Sequence, residues 1–132
     1  MRMKAVTLLS MCVMLCCGPV VAAIDFHGYD DDLMRDLDKT IKYFEPDITA
    51  KNAAAAKEDA AVLQEGFKYT ETFFARNGAE DAVKISKEGT QRIADALKFV
   101  DQNDFESAAA QAREATQLCK SCHDLYKKTI AR

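Results

Sequence analysis

From Tyr29 onward, apolar residues return every three or four positions, the spacing of one face of an α-helix. Met34, Leu37, Ile41 and Phe44 form one such stripe with Leu33 on its flank, predicting a first helix from about Asp30 to Phe44. Asp30, Asp31 and Asp32 crowd its positive end. Pro46 is expected to stop it, because a proline disfavours helical backbone in the residue before it.

A second helix is predicted from about Thr49 to Arg76, capped by Asp47 or Thr49 and ended by Asn77-Gly78. Its inward stripe reads Ala53, Ala56, Ala60, Leu63, Phe67, Thr70 and Phe74. A third, from about Ala79 to Val100, turns Val83, Ile93, Ala96, Leu97 and Val100 inward. Gly89 in its middle costs about 1 kcal/mol against Ala, which close backbone packing would explain. The fourth starts after Asn103 or Asp104, where Asn103 and Glu106 have the form of a capping box. At 100° per residue, Phe105, Ala108, Ala112, Ala115, Cys119, Cys122, His123, Tyr126 and Ile130 fall within about 60° of one direction.

Four amphipathic helices with short links predict an all-α fold, an antiparallel up-down-up-down four-helix bundle. In that topology the end of the fourth helix lies beside the start of the first, the end of the second and the start of the third. At about 1.5 Å per residue, His123 stands about 10 Å from its helix end and Met34 about 6 Å from its own, a similar depth. Leu33, Leu37, Thr70, Phe74 and Val83 are their expected neighbours.

The start of the chain follows another pattern. Arg2 and Lys4 precede an apolar run from Ala5 to Val21, broken only by Thr7, Ser10, Gly18 and Pro19 and closed by Ala22 and Ala23. This reads as a signal peptide over residues 1–23, cleaved before Ile24, with one domain over residues 24–132. Shortness and Gly18-Pro19 disfavour a retained spanning helix. Lipid attachment at Cys16 or Cys17 is disfavoured, since neither follows a small residue. The predicted location is the periplasm, with no membrane association after cleavage.

Cleavage removes Cys12, Cys16 and Cys17, so that only two cysteines remain and no structural disulfide is expected. It also removes Arg2 and Lys4, leaving 16 Lys and Arg against 21 Asp and Glu, a formal charge of −5. That balance makes a poor nucleic-acid binder. It suits a soluble carrier docking on basic patches of partner proteins.

The two remaining cysteines stand in Cys119-Lys120-Ser121-Cys122-His123. Two thiols three apart followed by an imidazole form the attachment pattern of haem c: each thiol joins a vinyl group as a thioether and the histidine ligates the iron. Positions i, i+3 and i+4 share a helix face, so all three can meet one cofactor edge. A CxxC pair also serves as a redox disulfide, as half of a zinc site, or as two buried small residues. A redox pair belongs with alternating strands and helices, which this chain lacks, and zinc would need a further ligand, for which only His27 stands outside the leader. The export signal agrees with haem, since thioether attachment takes place on the outer face of the bacterial inner membrane. Met34 is the first candidate for the distal side of the iron. The competing His27 lies ahead of the first helix, where a surface position is expected.

A short exported all-α chain with CKSCH near its end, followed by Asp124-Leu125-Tyr126-Lys127, resembles the cytochrome c′ family of four-helix-bundle haem proteins. The resemblance covers the mature chain in architecture and is specific in the last helix. The family has an aromatic residue three positions and a basic residue four positions after the haem histidine; Tyr126 and Lys127 match, though the basic residue is more often Arg. Asp32-Leu33-Met34-Arg35-Asp36-Leu37 resembles the members whose first-helix methionine supplies a sixth ligand. The resemblance implies a periplasmic mono-haem electron-transfer protein, not an enzyme, with Cys119 and Cys122 holding the haem and His123 and Met34 ligating iron. Lys127 or Arg35 would pair with a propionate, or else simply face solvent. The alternative is a five-coordinate protein binding nitric oxide or carbon monoxide, with Leu33 or Leu37 facing the iron. Peroxidase-type chemistry would want a polar distal acid-base group, which the first-helix stripe does not offer. The redox partners are unnamed, and the resemblance leaves a homodimer open.

Overall fold

The computed structural model describes residues 24–130, with side chains through Lys127. It contains four helices, α1 (Asp31–Thr49), α2 (Ala53–Arg76), α3 (Glu80–Asp101) and α4 (Phe105–Ile130), and no strand among the described residues. The expected leader lies outside the described residues, as does the side chain of Ile130. No helix among the described residues is long and apolar enough to cross a membrane. α1 packs on α2 and α4, α2 on α3, and α3 on α4, which makes a four-helix bundle. The seam between α1 and α4 is the loosest of the four.

Two expected boundaries and one expected cap are corrected, each for a local reason. Pro46 does not stop α1, which runs one turn further to Thr49. Proline cannot donate to the carbonyl of Lys42, but Pro46 sits on the exposed face, where water can reach that carbonyl. Fully buried Ile48 holds the extra turn, and the Thr49 hydroxyl donates to the Glu45 carbonyl at 3.0 Å. Asp47 and Thr49 therefore belong to α1, and α2 is capped by Asn52, whose side chain accepts the Ala55 N–H at 3.2 Å. Asn103 takes no part in a capping box: it lies in the left-handed region at φ 58° and ends α3. Asp104 caps α4 instead, accepting the Ser107 N–H at 3.1 Å. Hydrogen bonding by the Ser107 hydroxyl, and then by that N–H, holds its carboxyl below the usual carboxylate range.

The predicted stripes form two apolar clusters. The larger gathers Leu37, Ile41, Phe44, Leu63, Phe67 and Ile93 with the alanines of α2 and α4. The smaller gathers Phe74, Ala79 and Ala82, with Ile24, Phe26, Phe73, Val83, Cys122 and Tyr126 packed against them. Small residues set the helix spacing. A methyl group on Gly89 would overlap the ring edge of Phe67, and one on Gly66 the end of the Leu37 side chain. Close packing thus accounts for a glycine in the middle of α3. Ser86 is buried as well, and its hydroxyl is satisfied by the Ala82 carbonyl at 2.8 Å.

Asp59 on α2 has one carboxylate oxygen closed off from solvent without a hydrogen-bond partner. Burial, followed by the charge of nearby Asp47, pushes its pKa up to about 6. This value lies above the roughly 3.9 of an unfolded aspartate, so the folded state favours the protonated form. The resulting stabilisation is full below about pH 4 and is lost as pH rises through 6. At pH 7 the ionised group costs on the order of 1 kcal/mol, after allowance for solvent screening of a side chain that is only partly covered. Asp59→Asn is therefore expected to raise Tm by about 4 °C at pH 7 and to leave it unchanged at pH 4, followed by circular dichroism. An equal shift at both pH values would rule out charge as the cause.

Candidate functional site

The motif lies on α4 where its inner face meets both apolar clusters, and helical spacing turns Cys119, Cys122 and His123 the same way. All three are half-buried, and both thiols are free. Two cavities open against them. The outer one, of about 390 Å³, is walled by Cys122, His123 and Tyr126 from α4, by Met34, Arg35 and Asp38 from α1, and by Phe26, Tyr29 and Phe74. The inner one, of about 50 Å³, is walled by Cys119, Cys122 and His123 with Met34, Leu37, Ile41, Leu63, Phe67 and Thr70. Met34, Asp38, Cys122 and His123 border both, so the cavities adjoin. A third hollow, of about 540 Å³, lies along the α1–α4 seam between Asp38, Lys42, Lys120 and Lys127.

The electrostatics follow from burial. Both thiols are pushed up to about 11, chiefly by desolvation, with Cys122 adding its charge at Cys119 and Asp81 at Cys122. A dithiol redox pair works through a thiolate whose pKa is lowered, so these thiols are poorly set for that chemistry. Burial, and then the neighbouring Lys127, lowers the pKa of His123 and favours the neutral imidazole, the form that ligates a metal. Asp38, beside them on α1, is held below the usual carboxylate range by its hydrogen bond to Lys42 at 2.7 Å.

Several expected residues meet at these cavities. Met34 is half-buried and borders both, Leu37 and Thr70 border the inner one, and Phe74 the outer. Leu33 and Val83 do not reach them and pack into the larger and smaller clusters respectively. Tyr126 lines the outer cavity and donates its hydroxyl to Asp81 on α3. Lys127 is exposed, borders the outer cavity and the third hollow, and forms no ion pair among the described residues. Arg35 borders the outer cavity, but its guanidinium is engaged by Asp32. His27 is exposed and borders neither cavity.

Sequence reasoning missed the segment ahead of α1. Phe26 packs edge-on to Phe74 and Tyr126 and stacks on Phe73, with centroids 6.0 to 6.2 Å apart. Tyr29 lies edge-on to Tyr69 at 5.4 Å and to Phe73 at 4.9 Å. Its hydroxyl is 2.7 Å from Thr70 Oγ1, which itself donates to the Gly66 carbonyl at 2.8 Å. A polar pair from outside the first-helix stripe therefore lines the cavities that Met34 borders. Two aromatic residues in a seven-residue stretch before a helix were the available signal, but no periodicity marks a non-helical segment as part of a core.

The donor set suits a haem better than a bare metal ion. Among the described residues no three His, Cys, Asp or Glu side chains gather as a protein-only site would require. A haem brings four ring nitrogens of its own and asks the chain for only one or two axial groups in an apolar cleft. His123 and Met34 border the same apolar space as the two thiols, so the residues fit that demand. No protein-family model matches the chain, no curated protein is significantly similar to it, and no solved structure matches it.

Proposed function

We propose that this chain is a periplasmic mono-haem c-type cytochrome of the cytochrome c′ kind, a carrier of electrons and not an enzyme. The observation that carries the reading is the sharing of two adjoining apolar cavities by Met34 from α1 and by Cys122 and His123 from α4. Cys119 and Cys122 would hold a haem through thioethers, and His123 and Met34 would ligate its iron. Bound there, the haem supplies a one-electron iron couple.

The chain's own part is to orient and to exclude water. Neutral His123 offers a ring nitrogen without first losing a proton, and the thioether of Met34 carries no proton at any pH. With His123 and Met34 both available to the iron, little would have to move between oxidation states, which would favour electron transfer over substrate binding. The buried side chains of Leu37, Leu63, Phe67 and Phe74 keep the cleft dry. Lys127 borders the outer cavity and would pair with a propionate. The reading includes the antiparallel up-down-up-down course, supported by connections of three residues each, too short to carry the chain back along the bundle. The partners are other periplasmic redox proteins.

The alternative, a five-coordinate gas-binding protein, draws on Leu37, which lines the inner cavity from the same helix as Met34 and is more deeply buried. The visible spectrum of the reduced protein, before and after addition of carbon monoxide, separates the two. A low-spin spectrum indifferent to the gas is the expected result. A high-spin spectrum that shifts promptly would transfer the assignment to gas binding.

A further inference from the structure

We infer that Tyr29 is a positioning residue for Met34: by tying the segment ahead of α1 to α2 through Thr70, it holds the first turn of α1 against the cavity. The inference rests on the reading of Met34 as an iron ligand, and it adds the element that keeps that ligand in place.

The direction of the tie is defined. Thr70 spends its own proton on the Gly66 carbonyl at 2.8 Å, so across the 2.7 Å contact the Tyr29 hydroxyl donates and Thr70 Oγ1 accepts. Burial pushes the Tyr29 pKa up to about 12, which leaves the hydroxyl a donor at any pH near neutrality. The ring is held between Tyr69 and Phe73, and the Tyr29 N–H closes a turn onto the Phe26 carbonyl at 2.9 Å.

From that anchor to Met34 the chain has little slack. Asp30 follows directly; its carboxylate accepts the Leu33 N–H at 3.0 Å and its carbonyl accepts the Met34 N–H at 3.2 Å. Tyr29 borders the outer cavity, Thr70 the inner one and Met34 both, so the tie joins the segment ahead of α1 to α2 at the walls of the cavities that Met34 borders. First turns fray readily, and a methionine carries three rotatable bonds. A sulfur of that kind stays on one target only when its backbone is held.

The test uses the full haem-loaded chain with Tyr29→Phe, which keeps the ring and removes the hydroxyl. Two readouts are taken: amide hydrogen exchange at Leu33 and Met34, whose N–H groups Asp30 accepts, and the rate of carbon monoxide binding to the reduced protein. Both are expected to rise about fivefold, the size of one buried neutral hydrogen bond. Thr70→Val, which removes the acceptor, should match Tyr29→Phe, while Thr70→Ser, which retains it, should match the unaltered protein. Faster exchange with unchanged gas binding would make Tyr29 a structural tie only and overturn the inference, leaving Met34 as ligand. Prompt gas binding by the unaltered protein would instead remove the Met34 ligand, and the positioning role with it.

Discussion

Exported protein carrying Cys119→Ser and Cys122→Ser together will show no haem stain on a denaturing gel, where the unaltered protein stains. The expected effect is all or none, because only a covalent link survives denaturation and no other thiol is expected in the mature chain. Each single variant keeps one thioether and should stain more weakly. Serine is close to cysteine in size, so helix content should hardly change. Both positions are half-buried beside apolar walls, however, and a hydroxyl without a partner there costs about 1–3 kcal/mol. A thermal melt should therefore accompany the gel. If the unaltered protein does not stain and two thiols react with a thiol reagent, the haem assignment fails. The motif then falls back to a zinc half-site, which metal analysis would detect, or to two small residues of the interior.

The second large effect belongs to Met34→Leu. With the methionine sulfur on the iron, the open form is a minor population, on the order of 1%. Replacing the sulfur with a hydrocarbon of similar volume makes the open form the only one. The apparent affinity of the reduced protein for carbon monoxide should then rise about a hundredfold, because apparent affinity scales with the competent fraction. Leucine is preferred to alanine because it conserves volume and leaves no new cavity to confuse the result. The far-red band of a methionine-to-ferric-iron bond should vanish in the same variant. If gas affinity is already high before substitution and Met34→Leu leaves it unchanged, Met34 is an ordinary packing residue.

Helix content was legible in the sequence because its signal is local. The three-and-four spacing of Leu37, Ile41 and Phe44 places them on one face whatever the fold, and all three are buried. Burial of Ala56, Ala60, Leu63, Phe67, Thr70 and Phe74 on α2 follows the same rule. Helix ends were less legible, since caps and breakers compete with packing. Pro46 is a strong breaker by itself, yet one buried isoleucine two residues later carries α1 past it. Asn103 and Asp104 are both good caps on paper, and the left-handed backbone at Asn103 leaves the role to Asp104.

The sequence by itself determined the chemical vocabulary of this protein: two thiols and an imidazole on one helical face, in phase with an apolar stripe, and a methionine within the apolar stripe of another helix. Short-range spacing is enough for that, because 100° per residue decides which side chains share a face. Only the tertiary structure decided that Met34 and His123 border the same cavities, that Gly66 and Gly89 bring Leu37 and Phe67 close, and that Arg35 is engaged by Asp32 while Lys127 stands at the rim. It also brought Phe26 and Tyr29 over the site from a segment without periodicity. Those facts depend on distances between helices, and such distances are set by the side chains of two or three elements at once, which no local pattern contains.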